Sequence, residues 1–179
     1  MLQRRGAIVP QVRRFAPVRV ADLGCQLLGD RKGLVIGGYY PTGSELDPRI
    51  LMQDLERRGH SLALPVVVGD DQPLMFRQYA IGDALVEGAY GIPVPDEAAP
   101  QVVPDVLLVP GVAFDSSLFR LGYGGGFYDR TIVDLLAKRP RLDTIGLAFA
   151  DQMVDTLPVE SHDVPMAMVL TEAGLSVTK

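Results

Sequence analysis

Val106-Leu107-Leu108-Val109 is an unbroken apolar, mostly branched run, the pattern of a strand buried on both faces. It leads towards a segment with glycine at 122, 124, 125 and 126, and then into Tyr128–Lys138, where Ile132, Val133, Leu135 and Leu136 form a helical stripe that Pro140 ends. A strand buried on both faces needs helices on each side of its sheet, so this strand, loop and helix point to an α/β architecture. The rest of the chain agrees. Leu34-Val35-Ile36 reads as a short strand, and Asp47-Pro48 opens a helix over 48–58, with Asp47 as the cap and Gly59 at its end. Segments 61–68 and 74–79 read as a hairpin about the Gly69-Asp70-Asp71 turn, which adds an antiparallel element. Residues 82–104, with Pro93, Pro95, Pro100 and Pro104, read as an irregular surface connection, and strands at 144–149 and 167–170 finish the chain. At the N-terminus Pro10 and Pro17 are expected to break any long helix, leaving one near 19–28. The expected fold is an α/β sandwich around a largely parallel sheet, with ligands at the carboxyl ends of the strands.

The 179 residues suit a single domain spanning 1–179. No apolar stretch approaches the roughly 18 residues of a membrane span, and Gly6 to Pro10 is too short for a signal-peptide core, so no targeting segment is expected. Cys25 stands alone, which removes an intrachain disulfide and a cysteine-rich metal site and fits the reducing cytoplasm. A formal charge of −5 argues against broad nucleic-acid binding. The basic excess is N-terminal: residues 1–34 hold seven Lys or Arg against Asp22 and Asp30, leaving ten against twenty in the remainder. That cluster is either a solvated helix face or a local anion site.

The four glycines between Arg120 and Arg130 let backbone N–H groups point outwards, and the helix that follows adds its positive end. Arg120 and Arg130 carry guanidinium groups able to fork onto phosphate oxygens. A phosphate nest, a plain glycine-rich connection and other backbone contacts all remain open on glycine content alone. The segment is not a P-loop, because Phe127 follows Gly126 where Lys is required, and the same residue breaks a G-x-G-x-x-G begun at Gly122. Asp129 has no basic residue at a spacing that demands a pairing, so it reads as a first-turn carboxylate or a magnesium ligand. Asp163, in a late polar loop, is a surface turn or a second magnesium carboxylate. His162 lacks the partners of a zinc site.

Val109-Pro-Gly-Val-Ala-Phe-Asp115 followed by Arg120-Leu-Gly-Tyr-Gly-Gly-Gly-Phe-Tyr-Asp-Arg130 resembles the signature of the 5-formyltetrahydrofolate cyclo-ligases. Tyr40-Pro41 with Glu45, Leu64-Pro65, Gly91 to Pro95, and Gln152 through Leu157-Pro158 to His162-Asp163 resemble the same family in the same order. The resemblance implies a three-layer, Rossmann-like sandwich. It implies a reaction in which ATP closes 5-formyltetrahydrofolate into 5,10-methenyltetrahydrofolate, with ADP and phosphate released. It implies that Arg120, Leu121, Gly122, Tyr123, Gly124, Gly125, Gly126, Phe127 and Tyr128 bind ATP, with Arg120 and Tyr123 catalytic. Tyr40, Glu45 and the stretch Tyr123, Gly124, Gly125, Gly126, Phe127 approach the folate, and Asp129 and Asp163 take Mg2+. The implied partners are the folate and ATP, with no nucleic acid or membrane, in a monomer or homodimer. The chain departs from the family pattern at Leu118, where glycine is usual, and at the N-terminus, where a basic helix normally reaches ATP and Arg4 or Arg5 is the available substitute. A non-catalytic folate- or nucleotide-binding relative, and a sugar-phosphate enzyme using the same cradle, are the other readings.

Overall fold

The computed structural model describes residues 1–177. Its framework is a sheet whose central strands are β1 (Val35–Gly37), β2 (Ser61–Val66), β7 (Val106–Pro110), β10 (Asp143–Leu147) and β12 (Met168–Thr171). These five pair in parallel in the order β12-β10-β7-β1-β2. On one side β3 (Met75–Tyr79) adds antiparallel to β2, and β6 (Gln101–Val102) to β3. On the other, β13 (Gly174–Val177) pairs antiparallel with β12. The mostly parallel sheet with antiparallel flanks is the expected fold class.

β7 shows why its sequence carries no polar residue. Val106 and Leu108 enter one core, with Ile36, Leu62, Ile145 and the helix residues Val20, Leu51 and Leu55. Leu107 and Val109 enter the other, with Phe114, Ile132 and Leu135. A strand's side chains alternate between faces, so burial on both sides demands an apolar residue at each position. The first face is covered by α2 (Pro10–Leu28) and α3 (Arg49–Arg57), the second by α4 (Phe127–Lys138), which completes three layers.

The N-terminal expectation is corrected. A short helix α1 (Leu2–Gly6) comes first, and α2 then runs from Pro10 through Pro17 without a break. Pro10 sits at the start of the helix, where its missing N–H leaves no bond unmade. Pro17 forfeits an internal bond, a cost of about 3 kcal/mol. It is offset by burial of a face that includes Ala16, Val20, Ala21, Cys25 and Leu28. Gly24 lets this face close on α3: a Cβ there would lie 2.7 Å from Leu51 Cδ1.

The connection 82–104 is also more ordered than expected. β4 (Leu85–Glu87) and β5 (Pro93–Pro95) form a two-stranded ribbon with Val86 opposite Val94. Pro93 and Pro95 are tolerated there because a two-stranded ribbon leaves half its backbone groups outside the ladder. After β7, β8 (Ala113–Asp115) and β9 (Arg120–Leu121) form a hairpin that β11 (Met153–Val154) extends. Among the described residues no helix is long and apolar enough to cross a membrane.

Candidate functional site

The chain leaves β1 in one direction, towards β2, and leaves β7 in the other, towards β10. Such a switch point opens a crevice beyond the carboxyl ends of the two strands. The segment 38–48 follows β1, and Gly111 with the β8–β9 hairpin follows β7. These segments supply the site.

The glycine loop lies between β9 and α4. Gly124 and Gly126 have φ of 93° and 63°, and Gly126 is the residue from which α4 starts, so the helix end opens directly off the loop. Two of the loop glycines make room for arginine. A Cβ on Gly122 would sit 2.5 Å from Arg120 Nη1, and one on Gly126 2.6 Å from Arg130 Nη1. Both guanidinium groups therefore lie against loop backbone. Arg130 donates to the carbonyls of Gly125 at 2.7 Å and Asp70 at 2.8 Å and stacks on Phe127. Arg120 lies over the Tyr128 ring and donates through Nη2 to Asp129 Oδ2 at 2.8 Å. The Nε atoms of Arg120 and Arg130 are buried with no hydrogen-bond partner.

Asp129 is thus not free of basic partners, as its spacing suggested. The glycine loop turns the first turn of α4 back onto Arg120, and the pair is largely sequestered, with side chains 7% and 11% exposed. Its other oxygen, Oδ1, accepts a long 3.4 Å contact from Val164 N–H. Val164 follows Asp163, so the late loop is folded against the first turn of α4. Asp163 Oδ2 accepts from Glu160 N–H at 2.7 Å, closing that turn. His162 is exposed beside Glu160.

Across the crevice, Glu45 Oε2 accepts from Thr42 N–H at 2.9 Å, and Oε1 accepts from the Tyr123 hydroxyl at 3.3 Å. Tyr40, which shares its segment, is half-buried beneath the Arg49 guanidinium. Tyr128 and Tyr39 flank the same carboxylate. Burial raises both phenols well above their ordinary pKa, and the nearby Glu45 charge adds to this, so both stay protonated. The Tyr39 hydroxyl donates to Leu46 C=O at 2.6 Å, fixing the loop that carries Glu45.

The N-terminal basic cluster divides by role. Arg14, Arg19 and Arg4 are exposed. Arg13 donates to the carbonyls of Ile8 and Ser44, each at 3.1 Å, bracing the N-terminal segment against the β1 loop. Arg5 is 3% exposed and enters the crevice. It donates to Ser44 Oγ at 2.9 Å, to Gly111 C=O at 3.1 Å and to the Tyr123 hydroxyl. The Gly111 carbonyl also accepts from buried Gln152 at 2.8 Å, which fixes this corner. An open groove of about 410 Å³ lies beside this contact, lined by residues that include Gln3, Leu121, Gly122 and Tyr123.

One feature escapes the sequence reading. Tyr90 is 71% exposed with φ 59°, and its ring meets Phe127 edge-on at 6.3 Å, at the rim of the loop. Its left-handed backbone, uncommon for an aromatic residue, leaves no mark in the sequence. Leu118, where glycine was the expected residue, does adopt the left-handed conformation at φ 65°. Asp115 holds this turn, accepting from Ser117 N–H at 2.9 Å, Phe119 N–H at 3.0 Å and Leu157 N–H at 3.1 Å.

The model of the 5-formyltetrahydrofolate cyclo-ligase family matches residues 1–172. The chain belongs to this family. It is 38% identical over 177 residues to the 5-formyltetrahydrofolate cyclo-ligase of Escherichia coli strain K12, covering 94% of both chains. It is 36% identical over 183 residues to that of Mycolicibacterium smegmatis, covering 94% of this chain and 92% of the relative. Among solved structures, the Aquifex aeolicus 5,10-methenyltetrahydrofolate synthetase matches with a TM-score of 0.76 at 27% identity, over 99% of this chain and 89% of that one. The Mycoplasma pneumoniae 5,10-methenyltetrahydrofolate synthetase shares the fold, with a TM-score of 0.74 at 20% identity. The match of the family model from residue 1 includes the N-terminal segment that carries Arg5.

Proposed function

We propose that this chain closes 5-formyltetrahydrofolate into 5,10-methenyltetrahydrofolate at the expense of ATP, releasing ADP and phosphate. The observation that carries the reading is the meeting of the buried Arg5 guanidinium with Glu45 and with the exposed Tyr123 at the glycine loop, in a chain that matches the family along residues 1–172.

The reaction needs two events. The formyl oxygen attacks the γ-phosphorus, and the bond to the bridging oxygen breaks as ADP leaves. N10 then attacks the activated formyl carbon and gives up its proton, and the carbon–oxygen bond breaks as phosphate departs with the former formyl oxygen. Neither event requires a covalent enzyme, so positioning and charge are what the protein must provide.

The loop amides from Gly122 to Gly126 and the start of α4 suit the nucleotide phosphates. Arg120 adds a cation there, and its buried, unpartnered Nε is a donor still to be satisfied. Leu121, Phe127 and Tyr128 shape the walls. Glu45 and Tyr40 face the folate, with the carboxylate accepting from donor groups of the pterin. Tyr123, the loop residue whose hydroxyl reaches Glu45, touches both ligands and with Arg120 forms the catalytic pair.

The carboxylates also suit Mg2+. Asp129 Oδ1 has only a long contact, and Asp163 Oδ1 lies 3.9 Å from His162 without a short hydrogen bond, so each has an oxygen to offer. Mg2+ commonly takes one or two protein carboxylates and completes its shell with water and phosphate oxygens, and it would neutralise phosphate charge there. One catalytic unit in a single domain, acting as a monomer or homodimer in the cytoplasm, completes the reading; the lone Cys25 supports that compartment.

Incubating the protein with 5-formyltetrahydrofolate and Mg-ATP is expected to raise the violet-edge absorbance of the methenyl product, and omitting either substrate should abolish it. Tight binding of both ligands with no absorbance change at high enzyme concentration would favour a non-catalytic relative.

A further inference from the structure

Arg5 is the one buried residue of α1; Leu2, Gln3, Arg4 and Gly6 are all exposed. Its guanidinium joins three segments far apart in sequence. Nε donates to Ser44 Oγ after β1, Nη1 to Gly111 C=O after β7, and Nη2 to the Tyr123 hydroxyl of the glycine loop. Glu45 Oε1 lies 3.9 Å from Nη1, with side-chain exposures of 3% and 5% for the pair, and accepts from that same Tyr123 hydroxyl at 3.3 Å.

In this arrangement Glu45 Oε1 already has two partners, Arg5 and Tyr123, whereas Oε2 is held by Thr42 N–H. A carboxylate so engaged is poorly disposed to accept from a ligand, because each new donor must displace an existing one. Tyr123 belongs to the loop and lines its adjoining groove, and the Arg5 guanidinium reaches the loop through the Tyr123 hydroxyl. A polyphosphate there carries more charge than Glu45 and competes for the same cation. Whatever draws the Arg5 guanidinium and the Tyr123 hydroxyl towards an anion in the loop releases Oε1.

We propose that Arg5 couples the two halves of the site: an anionic nucleotide in the glycine loop draws its guanidinium and Tyr123 away from Glu45, and the freed carboxylate then holds the folate more tightly. This rests on the folate and ATP reading given above. By linkage the folate must tighten nucleotide binding by the same factor. Arg5 is in this sense a positioning residue, since it acts on the folate through Glu45.

The test is calorimetric titration of 5-formyltetrahydrofolate into the native chain, with and without the non-hydrolysable β,γ-imido analogue of ATP and Mg2+. The analogue is expected to lower the folate Kd by about five-fold or more, the lower end of common coupling. In Arg5→Lys the charge stays, but an ammonium has no planar fork to hold Ser44, Gly111 and Tyr123 together, and the ratio of the two Kd values should fall towards one. A loss of fold stability alone would weaken binding without moving that ratio. Tyr123→Phe, which removes the shared hydroxyl and leaves Arg5 intact, should also lower the ratio and serves if Arg5→Lys does not fold. A native ratio of one, or a ratio unchanged in the variants, overturns the coupling while leaving the functional reading standing. Failure of the native chain to bind the folate at all overturns both.

Discussion

Leu118 holds a left-handed backbone, φ 65°, with its side chain 1% exposed in the core that also holds Phe114 and Ile132. Two opposing effects meet at this one residue. The conformation costs a non-glycine residue roughly 1–2 kcal/mol. Removing a buried leucine side chain costs about 2–5 kcal/mol. Leu118→Ala keeps the strain and loses the packing, so it should destabilise by that full amount. Leu118→Gly loses the same packing and adds about 0.5–1 kcal/mol of unfolded-state freedom, but it recovers the roughly 1–2 kcal/mol of strain. Glycine should therefore be more stable than alanine here by about 0.5–1 kcal/mol, the reverse of their order at an ordinary position, while remaining below the native chain by roughly 1.5–4 kcal/mol. Urea titration measures both differences, and with m near 2 kcal/mol/M the two variants should separate by roughly 0.25–0.5 M in midpoint. Alanine more stable than glycine would refute the strain; glycine more stable than leucine would show that packing at this turn is worth less than its conformation costs.

Asp129→Asn should destabilise the fold as well as slow turnover. It leaves the guanidinium of Arg120 facing a neutral amide in a largely sequestered pair, so unfolding free energy should drop by about 1.5–3 kcal/mol along with turnover; unchanged stability would mean that the pair contributes little. Gly122→Ala would place a methyl 2.5 Å from Arg120 Nη1 and push that guanidinium off Asp129, so kcat should fall and stability should drop by no more than Asp129→Asn costs, and steady-state kinetics with full activity would contradict the placement. His60 accepts from Leu34 N–H through Nδ1 at 3.3 Å and is buried; burial, then the Arg31 and Arg58 charges, hold its pKa below the usual 6.5. The unfolded chain therefore takes up this proton first, so the stability His60 contributes is complete above about pH 6.5 and lost as pH falls through the folded value. Melting temperatures from about pH 7.5 to about pH 5 should fall more steeply for the native chain than for His60→Gln, and parallel slopes would remove His60 as a contributor.

What was legible in the sequence was carried by local signals. The β7 run needs apolar residues at every position, and the glycines before an amphipathic helix announce a strand, loop and helix whatever lies elsewhere. The pairing of Arg120 with Asp129 was not legible, because it depends on how the glycine loop turns the following helix back onto the strand before it. Arg5 is a stronger case. Its partners lie 39, 106 and 118 residues away, and no periodicity marks a buried arginine at a chain end. Pro17 misled for a related reason: local propensity spoke against a helix that tertiary burial of its Ala16, Val20 and Ala21 face sustains. The short strands β8, β9 and β11, two or three residues each, are too brief to show alternation.

The central claim is that the formyl oxygen attacks phosphorus and leaves on the phosphate. The direct test uses 5-formyltetrahydrofolate carrying heavy oxygen in its formyl group, with Mg-ATP, and mass analysis of the phosphate released. The account predicts one labelled oxygen in each phosphate formed, with ADP and the methenyl product in equal amounts. Unlabelled phosphate, with the heavy oxygen recovered in water or retained on the folate, would contradict it.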